Sequence, residues 1–304
     1  MKADAGETSA PEKRKCTMNY TEKILAFAKE NAPGLYAISV YEAGEIASLQ
    51  VSPANKTNNC YSVAKLFTVT ALGLLWDEGL LSTEEKVVDI FKDETFPGMD
   101  EKWADVTVDM VMRHSFGIDR GYLDIDAEDV NDFEAKYGSR TDFLRIVFSA
   151  RLPRTPGKHW CYSDAAYYLL SRIVAKKAGE DLYEYLRQRL FNPLGVEEAA
   201  WTKCPLGYSM GATGLYIRTA DIAKLGALYL GRGAFAGKRI LSEKWCELVL
   251  ERGYELRGEK GAWQKGGMFG QNVYVDDNRG IAVAWQGYDT TGYSGRLGEF
   301  LKNL

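Results

Sequence analysis

Histidine is scarce in this sequence, which has two, His114 and His159, among 304 residues. A metal centre needs histidine, cysteine or carboxylate side chains clustered at ligand spacing, and no such cluster is visible, so we expect no metal. Either histidine could reach a serine through the fold, but neither lies beside a nucleophile-like turn. We therefore expect both histidines to be structural, and the sequence implies no organic cofactor.

Neither a basic excess nor a long apolar run is present. The net charge of −4 argues against nucleic acid as a partner. The longest apolar stretch, residues 66–76, is too short to span a bilayer, and the first twenty residues show no apolar signal segment. Five cysteines without pairable spacing fit a reducing compartment better than a disulfide framework. We expect a cytoplasmic protein that binds neither membranes nor nucleic acids.

Two local patterns suggest functions that their surroundings do not support. The run from Gly207 to Gly211 has the Gly-x-Ser-x-Gly form of a nucleophile elbow. That elbow needs a strand before the serine and a histidine later in the chain, and no histidine follows His159, so we interpret the run as a glycine-rich loop. The acidic run 124–129 lacks the glycine and glutamate of a calcium-binding EF-hand loop and is interpreted as a solvated loop.

The order of predicted elements indicates an α/β (α+β) fold, with strands near both ends and helices between them. Helices are predicted at 21–31, 82–91, 106–113, 141–150, 164–178, 182–191, 219–230, 242–251 and 296–304, and strands at 35–41, 46–51, 269–275 and 281–285. We expect helices to flank one antiparallel sheet, which both termini complete. The predicted domains are a disordered tail (1–17), an α/β sheet domain (18–60 and 212–304) and an inserted all-helical domain (61–211).

A strongly apolar helix follows Asn58 and Asn59, which can cap it, and Gly79 can end it. Its first turn carries Ser62 and, three residues later, Lys65. Side chains at i and i+3 share one face of a helix. Because burial lowers the pKa of a lysine, Lys65 could be neutral enough to take the proton of Ser62. Ser-x-x-Lys is common by chance, however, and the alternative is an exposed turn with Lys65 reaching water.

Two further segments complete a candidate site. In the turn 156–164, Asp164 is the expected N-cap of the following helix, and Tyr162 would project from the loop before it. In the segment 263–268, Gly266 and Gly267 permit close approach of a ligand to the backbone. An amide donor there would form an oxyanion hole together with the amide of Ser62.

Taken in order, Ser62-x-x-Lys65, Tyr162-Ser163-Asp164 and Lys265-Gly266-Gly267 resemble the motifs of the serine β-lactamase and penicillin-binding protein superfamily. The chain looks closest to the class C-like branch, which includes esterases and amide hydrolases; the segments 107–118, 214–221 and 267–271 extend the likeness. The resemblance implies Ser62 as the acyl-forming nucleophile, Lys65 as its base or proton relay, and Tyr162 as the proton shuttle. The substrate-binding residues that it implies are Asp164, Lys265, Gly266, Gly267 and Met268.

The resemblance leads us to predict a hydrolase that cleaves an ester or amide of a small molecule through an acyl-Ser62 intermediate. Where the family often has asparagine, this chain has Asp164. A carboxylate near Lys65 would favour its ammonium form and repel an anionic substrate, which favours neutral esters or amides. Either Lys265 or a neighbour would anchor the substrate. The alternatives are a β-lactamase or D-amino-acid peptidase acting on cell-wall-like substrates, and a sensor that is acylated once without turnover.

Overall fold

The computed structural model describes residues 19–123, 135, 138 and 141–304. The strands are β1 (Leu35–Glu42), β2 (Glu45–Gln50), β3 (Thr57–Asn59), β4 (Ala199–Trp201), β5 (Leu215–Arg218), β6 (Ala234–Phe235), β7 (Lys238–Arg239), β8 (Arg257–Glu259), β9 (Ala262–Gly267), β10 (Gln271–Asp276) and β11 (Ile281–Gly287). The predicted tail (1–17) and the acidic run 124–129 lie outside the described residues.

The described helices have the following bounds: α1 (Tyr20–Asn31), α2 (Ala64–Asp77), α3 (Val87–Ile90), α4 (Val108–Met112), α5 (Phe143–Phe148), α6 (Asp164–Ala178), α7 (Leu182–Leu186), α8 (Asn192–Leu194), α9 (Thr219–Leu230), α10 (Glu243–Arg252) and α11 (Tyr293–Lys302). A π-helical turn, Arg187–Phe191, joins α7 to α8. Across the described residues, no helix combines the length and the apolar character that a bilayer span requires.

A six-stranded antiparallel sheet combines strands from both ends of the chain, in the order β2-β1-β11-β10-β9-β8. The pairing of β1 with β11 brings Val40 opposite Val283. Every residue of β10 and β11 is buried, because α9 packs on one face of the sheet and α1 and α11 cover the other. This arrangement confirms the expected α/β (α+β) fold with an antiparallel sheet flanked by helices.

Helix α2 lies inside the helical part of the molecule and is buried from Ala64 to Leu75. It packs mainly against α6 and contacts α7 and α10. A helix with apolar side chains on all sides is stable only when other elements surround it. As predicted, α2 ends before Gly79, whose φ of +72° is a left-handed conformation that favours glycine.

Several local predictions hold and others are wrong. The bounds of α6 and α9 agree with the prediction. Asn58 and Asn59 lie in β3 instead of capping a helix. Helix α3 begins only at Val87, because residues 83–84 form a turn and Lys86 pairs with Thr107. The strand predicted from Phe269 starts at Gln271, because Phe269 has a left-handed backbone.

The bounds of the two predicted domains stay a prediction. One short strand, β4, lies within the segment that we expected to be all helical. It pairs with β5, and β5 also pairs with β3, in a separate three-stranded antiparallel sheet. Strand β3 therefore connects this small sheet to the turn that carries Ser62.

Candidate active site

Ser62 lies in a single 3-10 turn, Tyr61–Val63, between β3 and α2. Tyr61 has a φ of +46°, which is unusual for a residue with a side chain. The side-chain oxygen of Asn59 accepts a hydrogen bond from the Tyr61 amide at 2.8 Å and supports this conformation. Backbone strain of this kind is found at functional sites, where the surrounding structure maintains it. Here it places Ser62 at the entrance to the buried helix.

The terminal nitrogen of Lys65 is surrounded by three oxygen atoms. It lies 2.9 Å from Ser62 Oγ, 2.9 Å from the carbonyl oxygen of Ala212 and 2.7 Å from Asp164 Oδ1. An ammonium group has three N–H donors and no acceptor, which matches this environment. Burial acts to lower the pKa of Lys65, but the acidic groups around it, Asp164 foremost, together outweigh burial and raise the pKa above its ordinary value. Of the two possibilities that the sequence offered for Lys65, this environment supports the ammonium form favoured by Asp164 and not the neutral amine favoured by burial.

Tyr162 completes a cluster with Ser62 and Lys65. Its hydroxyl donates a hydrogen bond to Ser62 Oγ at 2.7 Å. The centre of its ring lies 4.8 Å from the terminal nitrogen of Lys65 and 5.4 Å from that of Lys265. The ring of His114 is stacked on that of Tyr162, with centroids 4.6 Å apart. The structure thus brings together the three residues that the motifs suggested as catalytic.

Asp164 is buried in the first turn of α6 and is not the N-cap, contrary to prediction. The N-cap is Ser163, whose hydroxyl oxygen accepts a hydrogen bond from the Ala165 amide at 3.2 Å. The same hydroxyl donates to the carbonyl oxygen of Tyr122, which ties the loop before α6 to a second segment. The side chain of Asp164 is therefore available to pair with Lys65.

Strand β9 passes directly beside the Ser62 turn. A Cβ atom added to Gly267 would lie 2.8 Å from the carbonyl oxygen of Cys60 and 3.3 Å from the amide nitrogen of Ser62. Only glycine permits this approach of the two backbones. At Gly266 the nearest atom would be 3.9 Å away, and Met268, which follows the strand, is exposed. Of these three positions, 267 is the one at which the packing against the Ser62 turn requires a glycine.

Lys265 points to a buried partner that the sequence analysis missed. Its terminal nitrogen forms an ion pair with Glu255, and both side chains are at least 90% buried, with exposed fractions of 10% and 2%. Burial raises the pKa of Glu255, but the charge of Lys265 and the hydrogen bond from His114 outweigh it and hold the pKa well below its usual range. The only sequence signal for Glu255 is a carboxylate between the apolar residues Tyr254 and Leu256.

His114 holds Glu255 from the other side. Its Nδ1 atom accepts the amide hydrogen of Ser163 at 3.3 Å, so the Nε2 atom carries the proton that is donated to Glu255 at 2.7 Å. Burial lowers the pKa of His114 and favours this neutral form. His114 and Glu255 both have left-handed backbones, with φ of +55° and +63°. His159, by contrast, is exposed.

The loop 207–211 does not form a nucleophile elbow. Ser209 is fully buried and donates a hydrogen bond to Asp181 at 2.6 Å. The loop instead supports Lys65, because Gly211 accepts a hydrogen bond from Thr68 and the next residue, Ala212, accepts one from Lys65. Within the part of the chain that the structure describes, no three histidine, cysteine or carboxylate side chains form a metal-binding group.

Comparison with known proteins agrees with this geometry. A family model described as Beta-lactamase matches residues 27–290. The chain is 25% identical over 206 residues to a lovastatin esterase of Penicillium rubens, covering 58% of this chain and 49% of that protein. It is 26% identical over 200 residues to a 6-aminohexanoate-dimer hydrolase of Paenarthrobacter ureafaciens, covering 63% and 50%. The chain thus spans about half the length of these two curated relatives.

A solved structure extends the likeness of fold over nearly the whole chain. A penicillin-binding protein from Bacillus halodurans has a TM-score of 0.68 at 18% identity and covers 93% of this chain and 99% of its own. The matched family model spans the serine turn, the tyrosine loop and strand β9. The chain therefore belongs to the Beta-lactamase family.

Proposed function

We propose that this protein is a serine hydrolase that cleaves a small-molecule ester or amide through an acyl-Ser62 intermediate. One observation carries the proposal: the hydroxyl of Tyr162 and the ammonium group of Lys65 lie 2.7 Å and 2.9 Å from the same Ser62 oxygen. A serine hydroxyl needs an adjacent group that moves its proton, and both of these groups are within reach.

In the acylation step, the Ser62 oxygen attacks the carbonyl carbon of the substrate. The Ser62 proton passes to the phenolic oxygen of Tyr162, and the phenolic proton passes to the leaving oxygen or nitrogen, so that Tyr162 ends the step neutral. Lys65 keeps its proton and stabilises the negative charge that develops on both oxygens. This division of roles follows from the ion pair with Asp164, which holds Lys65 in its ammonium form.

Backbone amides would stabilise the carbonyl oxygen of the substrate. The approach of Gly267 to Ser62 supports an oxyanion hole made of the Ser62 amide and an amide of the segment around Gly267. In deacylation, water attacks the acyl carbon and gives its proton to Tyr162 as Tyr162 returns one to Ser62. Glu255 and His114 act as positioning residues, because they contact Lys265 and Tyr162 rather than Ser62.

The charges around Ser62 support a substrate that is neutral at the bond to be cleaved. Asp164 compensates Lys65, and Glu255 compensates Lys265. A substrate carboxylate beside either lysine would also approach a protein carboxylate, and this repulsion opposes binding. The names of the two curated relatives, an esterase and a dimer hydrolase, agree with an ester or amide substrate.

The test combines steady-state kinetics with intact mass. The protein and its Ser62→Ala variant are given 4-nitrophenyl butyrate, an aryl amide and a chromogenic cephalosporin. We expect steady turnover of the ester or amide, with one acyl adduct on the wild type and none on the variant. Cephalosporin turnover alone would support a β-lactamase, and a single burst without turnover would support a sensor. Equal behaviour of wild type and variant would refute the nucleophile.

A further inference from the structure

A groove lies beside Tyr162, whose hydroxyl contacts Ser62. It has a volume of about 290 Å³, and Tyr162, Glu255, Lys265 and Arg257 are among the residues that line it. The ion pair with Glu255 compensates the charge of Lys265 inside this groove. Arg257 is exposed, and its Nε atom donates a hydrogen bond to the carbonyl oxygen of Gly253 at 3.3 Å. The groove therefore has a second cation, Arg257, for which the described residues form no ion pair.

Arg257 also lines a second cavity, of about 350 Å³, which we call the basic pocket. Its charged lining residues are Arg113, Lys158, Arg252 and Arg257, and none of its described lining residues is a carboxylate. Arg113 is compensated, because it donates two hydrogen bonds to Asp109. The charge of Arg252 also acts on Asp109, but the described residues form no ion pair with Lys158, Arg252 or Arg257. Cations that converge on one concave surface create a positive potential that attracts an anion.

An exposed indole connects the basic pocket to the catalytic cluster. Trp160 is 54% exposed, although a large apolar side chain is usually more buried. Its ring centre lies 6.3 Å from that of Tyr162 on one side and 5.4 Å from the guanidinium carbon of Arg257 on the other. A ligand that crosses Trp160 would cover apolar surface, with one end at Tyr162 and the other at Arg257.

We propose that the basic pocket is a subsite for a carboxylate that the substrate carries at a distance from the bond to be cleaved. This inference rests on the proposed hydrolase function and specifies its substrate class. The chain would hold the substrate's apolar middle on Trp160 and its carboxylate between Arg257, Lys158 and Arg252. A guanidinium group binds a carboxylate through two parallel hydrogen bonds, which gives both affinity and orientation. The substrate carboxylate would thus bind away from Lys265, whose charge Glu255 already compensates.

Matched esters test the subsite. One pair is mono-4-nitrophenyl glutarate and its neutral methyl ester, which places the carboxylate on the acyl side. The other is 4-(butyryloxy)benzoate and its methyl ester, which places it on the leaving-group side. We expect the wild type to prefer the anionic member of one pair in kcat/KM by about tenfold, the effect of one hydrogen bond to a charged group. The preference should decrease at high salt.

Variants assign the preference to the pocket. Arg257→Ala and Lys158→Ala should each raise KM for the anionic ester about tenfold and change the neutral ester much less. Lys260 is an exposed cation between β8 and β9 that lines neither the groove nor the basic pocket. Lys260→Ala should therefore retain the preference for the anionic ester. The absence of a preference in both pairs, or an equal loss for both members in Arg257→Ala, would overturn the subsite.

A binding measurement separates failure of the subsite from failure of the proposed function. If no ester is turned over and no acyl adduct forms, the hydrolase proposal fails. The Ser62→Ala protein is then titrated by calorimetry with the same anionic and neutral esters. Tighter binding of an anionic ester, lost in the double variant with Arg257→Ala, would support the subsite without turnover. Equal or undetectable binding of both members would overturn it.

Discussion

The terminal nitrogen of Lys65 lies 2.7 Å from Oδ1 of Asp164, and both side chains are buried. This ion pair decides which form of Lys65 faces Ser62. Burial acts to lower the pKa of Lys65, but the acidic groups around it, Asp164 foremost, together raise it above its ordinary value of 10.5. Lys65 is therefore a fixed positive charge beside Ser62 near neutral pH, and its role follows from that charge.

Replacement of Asp164 by asparagine should destabilise the protein, because it leaves a buried ammonium without its partner. We expect a loss of about 3–5 kcal/mol in the free energy of unfolding at pH 7, measured by urea denaturation. Without the carboxylate, burial lowers the folded-state pKa of Lys65. Folding of the variant then favours the loss of the Lys65 proton, which costs less free energy as pH rises towards 10.5. The difference in the free energy of unfolding between variant and wild type should therefore decrease over that range.

An exposed pair provides the control for this prediction. Asp93 pairs with Lys176 at the surface, and Asp93→Asn should leave the free energy of unfolding nearly unchanged. An Asp164→Asn protein that is as stable as the wild type at every pH would show that the Lys65–Asp164 contact is not a charged pair.

Removal of the Tyr162 hydroxyl should slow catalysis without affecting folding. Tyr162→Phe keeps the ring stacked on His114 but removes the group that lies 2.7 Å from Ser62 Oγ. We expect kcat/KM for 4-nitrophenyl butyrate to fall about 10²- to 10⁴-fold, the usual contribution of a positioned proton-transfer group. Tyr41→Phe, a change on strand β1, is the matched control and should retain full activity. An equal rate in the Tyr162 variant would exclude the proton shuttle.

The sequence was sufficient to predict the elements that local patterns define. Both bounds of helix α6 were predicted, although its N-cap is Ser163 and not the Asp164 that the sequence suggested. The positions of Ser62, Lys65 and Tyr162 followed from ordered motifs. The structure then placed them in hydrogen-bonding contact, although Tyr162 is 100 residues from Ser62.

The sequence could not show contacts that depend only on the tertiary fold. Glu255 and His114 are 141 residues apart and have no motif in common, and their contact relies on two left-handed backbones that no local residue type indicates. The sequence left the charge of Lys65 open. Burial alone would favour the neutral amine and a nearby Asp164 the ammonium form, and only the folded chain shows that the two side chains meet.

Glu255 should make a stability contribution that depends on pH. Its folded-state pKa is held below the ordinary value of 4.5, so the stabilisation is present above pH 4.5 and is lost as pH falls through the folded-state pKa. We expect Glu255→Gln to lower the free energy of unfolding at pH 7 by about 3–5 kcal/mol, because Lys265 then lacks its partner. The difference from the wild type should decrease below pH 4.5.

Two measurements distinguish this effect from a general loss of packing. Glu259→Gln, at an exposed position of the neighbouring strand β8, should leave the stability unchanged over the same pH range. Urea denaturation of Glu255→Gln and wild type at pH 7 and pH 3 gives the pH dependence directly. A difference that stays constant between these pH values would contradict the ion pair.

Two adjacent glycines of strand β9 provide the sharpest test of the oxyanion hole. In Gly267→Ala the new methyl group would lie 2.8 Å from the Cys60 carbonyl oxygen and 3.3 Å from the Ser62 amide, so the strand must move away from Ser62. Loss of one amide donor to the developing oxyanion lowers kcat about 10²- to 10³-fold, and we expect this decrease for ester hydrolysis. In Gly266→Ala the nearest atom lies 3.9 Å away, so kcat should stay close to that of the wild type. Equal effects of the two substitutions on kcat, with both proteins folded by circular dichroism, would show that the approach of β9 to Ser62 has no role in catalysis.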